Sequence, residues 1–324
     1  MLNLKEQCRI HWNWKDGTFE DKVLIRHSTK QMPWMQFDCS ERRLWLSTRN
    51  HIQCYRVNQK GHLYEDYSRK LRGPKDDISK FCTKDGLTVC GTRDGSVCGW
   101  HSEKSQLLFH YHKISRSEIQ AVDFYRDVVI SGSRDSTIKM MSMAYHEVEN
   151  NNQILKTLKA GDRVWSLAVA PDGSTFASGS GGRYEESPLL LWDFATASVI
   201  CPLESRHRRG AGVLDIKYES PQTLLTCGYD TSVRLWDTRT HSCVASWCEP
   251  FDSAIYCLDS DQHMSIVTGT ARYGMTRLWD KRKTFPVQMY YTGQQSSPVY
   301  SLAFNSRHLY VALDLSLNML DFTR

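Results

Sequence analysis

The chain has 324 residues, more than the roughly 100–200 of one ordinary compact domain, yet its composition hardly changes from end to end. With 40% apolar and 24% charged residues it can bury a large core, which excludes disorder as the main state. A formal net charge of +5, from 41 basic and 36 acidic residues, is too slight to mark a chain that coats nucleic acid, so the choice lies between two ordinary domains and one large repetitive one.

Eleven cysteines is an odd count, and none forms a Cys-x-x-Cys pair, which argues against both a zinc site and a secreted disulfide framework. The first residues, MLNLKEQCRIHWNWKDG, put charges and tryptophans where a secretory signal needs an apolar block. No run of about 18 apolar residues occurs anywhere. The expectation is a protein with reduced thiols, cytoplasmic with the nucleus also open to it, with no metal and no membrane partner.

After that opening stretch, TFEDKVLIR (18–26) is a lone strand-like segment. Seven periods then follow in register. Their closing apolar residues are Tyr55, Trp100, Met141, Trp192, Trp236, Trp279 and Leu320, a mean spacing of about 44 residues. Trp192, Trp236 and Trp279 are each followed by aspartate. Within a period, short alternating runs are separated by turn residues, as in RVWSLAVA, PDG, TFASGS and LLLWD, which is strand chemistry throughout. The last period supplies SPVYSLAFN, HLYVALD and SLNMLDF, three strands where the others supply four. An open edge there is a pairing liability, so residues 18–26 are expected to provide the missing outer strand and close the ring.

A strand-only repeat of this length ending in Trp-Asp resembles the WD-repeat family, whose unit is one four-stranded blade of a β-propeller. The resemblance implies an all-β fold, a seven-bladed propeller over residues 18–324, with residues 18–26 as the outer strand of the last blade. Strand direction alternates four times per blade, so turns after second strands and connections after fourth strands emerge on one face. The turns STRN, GTRDG, GSRDS, GSGGRYEESP, CGYDT and GTARYG share that face, as does the basic run Arg206, His207, Arg208 and Arg209, so it is expected to be positively charged.

On those turns Asp94, Asp135 and Asp230 are expected to accept hydrogen bonds from their own backbone, and Trp192, Trp236 and Trp279 to fill the core with their indole N–H groups bonded. The arginine before the turn aspartate is not needed for the turn. Arg93 and Arg134 hold that position in Gly-x-Arg-Asp; Arg49 lies in a turn one residue shorter, Arg272 in one a residue longer, and Arg183 in the inserted loop. Guanidinium groups converging on a low-dielectric opening suit an acidic or phosphorylated peptide, although each arginine can equally serve to solubilise its turn. Trp165, Tyr256 and Tyr300, which open first strands, and Tyr229, which replaces the arginine in CGYDT, are candidate aromatic anchors, packing between blades being the alternative.

The Arg-Asp turns resemble those of the F-box/WD-repeat proteins, and EQCRIHWNWKDGTF (6–19) resembles the tail that leads from an F-box into such a propeller. This resemblance implies that residues 1–17 are the remnant of a linker following an F-box. It also implies a non-catalytic substrate-recognition subunit of a cullin-RING ubiquitin ligase. Such a subunit reaches the cullin adaptor only through an F-box that this sequence lacks. A WD-repeat scaffold in another complex is the alternative; a nucleic-acid partner is disfavoured by the absence of a basic-aromatic tract. The twelve histidines are scattered, and no Gly-x-Ser-x-Gly, His-Glu-x-x-His or phosphate-binding glycine loop occurs, so no catalytic residue and no cofactor are expected.

Overall fold

The computed structural model describes residues 3–143, 154–183, 187–203, 210–293 and 296–324. Among them the chain forms one helix, α1 (Leu4–Asp16), and seven antiparallel four-stranded sheets. The inner strands Met35–Asp38, Ile78–Lys84, Ile119–Tyr125, Val164–Val169, Val213–Ser220, Ile255–Ser260 and Ser301–Phe304 touch one another in turn, and the seventh touches the first. The seven sheets are therefore the blades of a closed propeller.

The seven column residues all fall on third strands, one per blade. Trp192, Trp236 and Trp279 are buried, and each indole N–H donates across the sheet: to Ser178 Oγ at 2.8 Å, Thr226 Oγ1 at 2.9 Å and Thr268 Oγ1 at 2.9 Å. Second strands such as VVISGS and SIVTGT are covered on both faces, which is why they carry small residues rather than an alternation. Gly91, Gly132 and Gly269 occupy one repeating position there. A Cβ at any of them would stand 2.4 Å from an apolar side chain that opens or just precedes the inner strand of the next blade, Ile119, Val164 or Val299. Glycine at this point lets adjacent blades approach closely.

Ring closure follows the expected scheme. The outer strand of blade 7 is β1 (Glu20–Arg26), antiparallel to Ser316–Asp321 with Glu20 opposite Asp321 and Arg26 opposite Ser316. Lys22 Nζ reaches Asp321 Oδ2 at 3.0 Å across this junction.

Residues 1–17, read from sequence as a linker remnant, include a docked helix. Asn3 caps it and exchanges hydrogen bonds with Glu6 in a capping box, and Gly17, with φ of 73°, ends it in the left-handed conformation. The buried pair Ile10 and Trp14, one turn apart, faces the propeller. Trp14 stacks on Phe322 with ring centres 3.8 Å apart, its indole donates to Ser306 O at 3.0 Å, and Asn13 Nδ2 donates to Phe322 O at 2.8 Å. Elsewhere the apolar seams lie between neighbouring blades. Here the seams on both sides of blade 7 merge with the helix into one cluster running from Ile10 and Met35 to Tyr290 and Phe322.

Truncation of residues 1–28 is expected to lower the melting temperature sharply by opening blade 7. Trp14→Ala alone is expected to cost about 3–5 kcal/mol in denaturant unfolding. Unchanged melting of the truncated chain would refute strand-mediated closure.

Burial beside this junction also sets an acid limit. His308 is buried, and desolvation pushes its imidazole down to about 4 against the partial opposition of Asp321; burial likewise holds His51 at about 4. Both stay neutral in the folded chain while the unfolded chain gains protons below about pH 6.5. Their contribution to stability is therefore present above pH 6.5 and lost progressively as pH falls toward 4. For His308 the loss is on the order of 2–3 kcal/mol, and His308→Phe should flatten that part of the stability–pH curve.

Candidate functional site at the channel mouth

One irregularity recurs at the start of the inner strands. Pairing register shifts between Ile78 and Lys80, Ile119 and Ala121, Val164 and Ser166, Val213 and Asp215, and Ile255 and Cys257. Each shift leaves one residue outside the ladder: Ser79, Gln120, Trp165, Leu214 and Tyr256. Tyr300 and Trp34 stand at the same point ahead of the inner strands of blades 7 and 1. A β-bulge turns its extra side chain out of the regular pleat, and all seven residues are half-buried, around the mouth of the central channel. Trp165, Tyr256 and Tyr300 thus share the predicted location. Trp34 belongs to the same set and was missed; its repeat position was the available signal, disguised by Pro33.

The rings form a run on one side of the mouth. Tyr229 and Tyr256 meet edge to face at 6.3 Å, and Tyr256 and Tyr300 lie 6.5 Å apart. Burial, reinforced by the neighbouring phenols, raises the Tyr256 hydroxyl above its ordinary pKa, and burial does the same at Tyr300. Both remain protonated donors at neutral pH.

The arginines come from the turns. In blade 2 the turn Arg93-Asp94-Gly95 is closed by Asp94 Oδ1, which accepts from Ser96 N at 3.1 Å and Thr92 Oγ1 at 2.6 Å. Asp135 accepts from Thr137 N at 3.0 Å and Arg116 N at 3.0 Å, and Asp230 from Ser232 N at 3.3 Å. Burial opposes ionisation at Asp94 and Asp135, but these hydrogen bonds prevail and hold both carboxyls below the usual range. The left-handed residue that ends each turn is Gly95, Ser136 or Thr231.

Arg49, Arg93, Arg134, Arg183 and Arg272 are all exposed on this face. Their surroundings differ. Arg93 lies between two carboxylates, Asp77 at 3.6 Å and Glu118 at 3.7 Å, and Arg49 donates to Thr29 Oγ1 at 2.8 Å. The backbone N–H of Arg183 is held by Asp162 at 3.1 Å. Among the described residues the guanidinium groups of Arg134 and Arg272 have no ion-pair partner. The face is therefore not uniformly basic, since Asp77, Glu118, Asp162 and Asp314 interleave with the arginines. The basic run 206–209 lies outside the described residues.

Below the mouth an ion pair spans the channel. Lys80 Nζ, from blade 2, reaches Asp215 Oδ1 of blade 5 at 2.9 Å and lies 3.9 Å from the Trp34 ring centre. Asp215 Oδ2 accepts from Leu258 N of blade 6 at 3.2 Å. Asp123 repeats the device by accepting from Lys84 Nζ at 2.7 Å and, with its other oxygen, from Val169 N of blade 4 at 2.7 Å. These carboxylates join blades through their inner strands and put a floor under the mouth. Removal of one member of a buried pair leaves the other uncompensated, so Lys80→Ala is expected to cost about 3 kcal/mol in denaturant unfolding, with Asp215→Asn in the same background restoring part of it.

A concavity of about 1110 Å³ opens on the opposite face between α1 and blades 1 and 5 to 7, where Ile10, Trp14, Phe37, Met264, Lys217 and Arg307 contribute to its wall. Its lining is mixed, and none of the predicted site residues belongs to it. No helix among the described residues is long and apolar enough to cross a membrane.

A closed ring of seven four-stranded blades, with its variable side chains gathered on bulges and turns of one face, defines a WD-repeat propeller. The family model of the WD domain, G-beta repeat, matches residues 152–183 and 202–237. The chain is 39% identical over 326 residues to F-box/WD repeat-containing protein 4 of Mus musculus, a match that takes in 99% of this chain and 78% of that protein. It is 37% identical to the Homo sapiens protein of the same name, over 98% of this chain and 77% of that one. The chain belongs to this F-box/WD repeat-containing protein 4 family. DDB1- and CUL4-associated factor 10 of Xenopus laevis is a more distant relative, 22% identical over 62% of this chain and 39% of its own length.

Proposed function

We propose that the chain is the substrate-recognition subunit of a cullin-RING ubiquitin ligase. It holds a protein partner on the face that carries Arg134, Arg272, Arg93 and the bulge aromatics, and carries out no bond chemistry itself. The observation that supports this most is the gathering of half-exposed aromatic and cationic side chains from separate blades onto one rigid rim above a floored channel. Such a surface loses little conformational freedom on binding, and aromatic and arginine side chains dominate interface energetics.

Kinship supplies the ligase context. The name of one relative joins WD repeats to an F-box, and that of the other describes association with DDB1 and CUL4. In that setting the propeller contributes effective concentration, keeping substrate lysines near a charged conjugating enzyme. Arg134 and Arg272 suit a phosphate or carboxylate on the partner, whereas Arg93 already shares two carboxylates and favours the scaffold alternative locally. A partner without phosphate, retained outside any ligase, is what that alternative predicts.

Two measurements test the proposal. Affinity purification of the propeller joined to any upstream sequence of its natural transcript is expected to recover the cullin adaptor; failure would count against the receptor role. Arg93→Glu with Arg134→Glu is expected to weaken partner binding about tenfold or more, with melting lowered only slightly because the Arg93 ion pairs lie at an exposed site. Undiminished binding would remove these arginines from the site.

A further inference from the structure

Third strands of blades 5 and 6 carry an arginine at the same column position, Arg234 and Arg277. In blade 5 Arg234 pairs with Asp230 of the adjoining turn. The blade 6 turn, Arg272-Tyr273-Gly274, has no aspartate. Arg277 turns instead to Glu249, in the connection between the two blades, at 2.5 Å, with side-chain exposures of 4% and 0%.

The other Glu249 oxygen, Oε2, accepts from Phe251 N at 2.7 Å and Ser253 N at 2.9 Å, and the Arg277 guanidinium lies 4.9 Å from the Phe251 ring centre. A buried ion pair thus fixes a loop whose outermost large residue, Phe251, is 66% exposed. A buried pair is a weak source of stability but a strong geometric constraint. The Phe251 ring meets the Arg277 guanidinium and is otherwise left largely in water.

The loop belongs to the same rim. Glu249 N donates to Thr231 O of the Tyr229 turn at 2.8 Å, and Ala271 N donates to Ala254 O at 2.9 Å, tying the loop to the Arg272 turn. Tyr229 and Tyr273 are also exposed, at 44% and 59%. Blades 5 and 6 therefore present three exposed aromatic rings beside the Tyr256–Tyr300 run. Arg272, close enough to Tyr256 to influence its hydroxyl, has no carboxylate partner among the described residues.

We propose that Phe251, Tyr273, Tyr229 and Arg272 form a specificity subsite for a peptide segment in which a large apolar side chain is followed by an acidic or phosphorylated residue. The apolar side chain rests on Phe251 and Tyr273, and the anionic group meets Arg272. This deepens the partner-binding reading and rests on it.

The test uses the full chain and an array of short immobilised peptides pairing Leu, Phe or Trp with Asp, Glu, phosphoserine, Ser or Lys. Peptides with an apolar–anionic pair are expected to bind about tenfold better than those with Ala or Lys substituted, Phe251→Ala to abolish that preference, and Arg272→Glu to abolish the anionic part alone. Phe251 is exposed, so its variant keeps the parent melting temperature; Tyr273→Ala gives an independent second reading.

Binding indifferent to the apolar residue, or unaffected by Phe251→Ala, overturns the inference. If such binding is instead lost in the Arg93→Glu/Arg134→Glu chain, the partner face survives and only the subsite falls. Self-association seen by light scattering and dissolved by Phe251→Ala would assign the patch to a second copy, and equally overturn it.

Discussion

The pairing of β1 with the third strand of blade 7 is the constraint on which the molecule depends. A blade buries both faces of its sheet only between two neighbours, so a ring missing one strand would leave an apolar seam partly open and a ladder unpaired. The chain meets this with its first strand, and α1 adds Ile10 and Trp14 over the junction, where two seams fuse into one cluster. Every position around the mouth inherits its place from that closure, because the inner strands touch one another in an unbroken circle.

Stability rests on some columns of the repeat and leaves others free to vary. Third-strand tryptophans, second-strand glycines and inner-strand carboxylates do the joining, each satisfied within the fold. The bulged residue and the turn residue are the two positions the blade does not need for itself. Their side chains vary from Ser79 to Trp165 and from Arg93 to Tyr229 without disturbing the seams. A propeller can therefore change what it holds without changing how it stands.

Much of this was legible in the sequence because the governing interactions are periodic. Seven apolar columns, a three-strand final repeat and a lone opening strand suffice to deduce the ring and its closure. The helix was missed although its marks are local: Asn3 with Glu6, Ile10 with Trp14, and Gly17. Thirteen residues without a repeat partner stood out less than the strands that follow. Trp34 escaped because proline occupies the place that Ile78 or Val164 fills elsewhere. The two carboxylates beside Arg93 come from separate connecting loops, and the Glu249–Arg277 pair links residues 28 apart. Period and spacing carry no information about such encounters, which depend on how loops fold back over the rim.

The direction of β1 has one more consequence. It runs from the underside to the rim, so the helix before it and the final residues after Asp321 both lie beneath the disc, with Arg9 bonded to Thr323. A tether attached at either end would leave from the same side. Molecules immobilised that way on a sensor surface, or carried on a larger assembly, would turn the arginine and tyrosine rim outward to solvent whichever terminus was chosen.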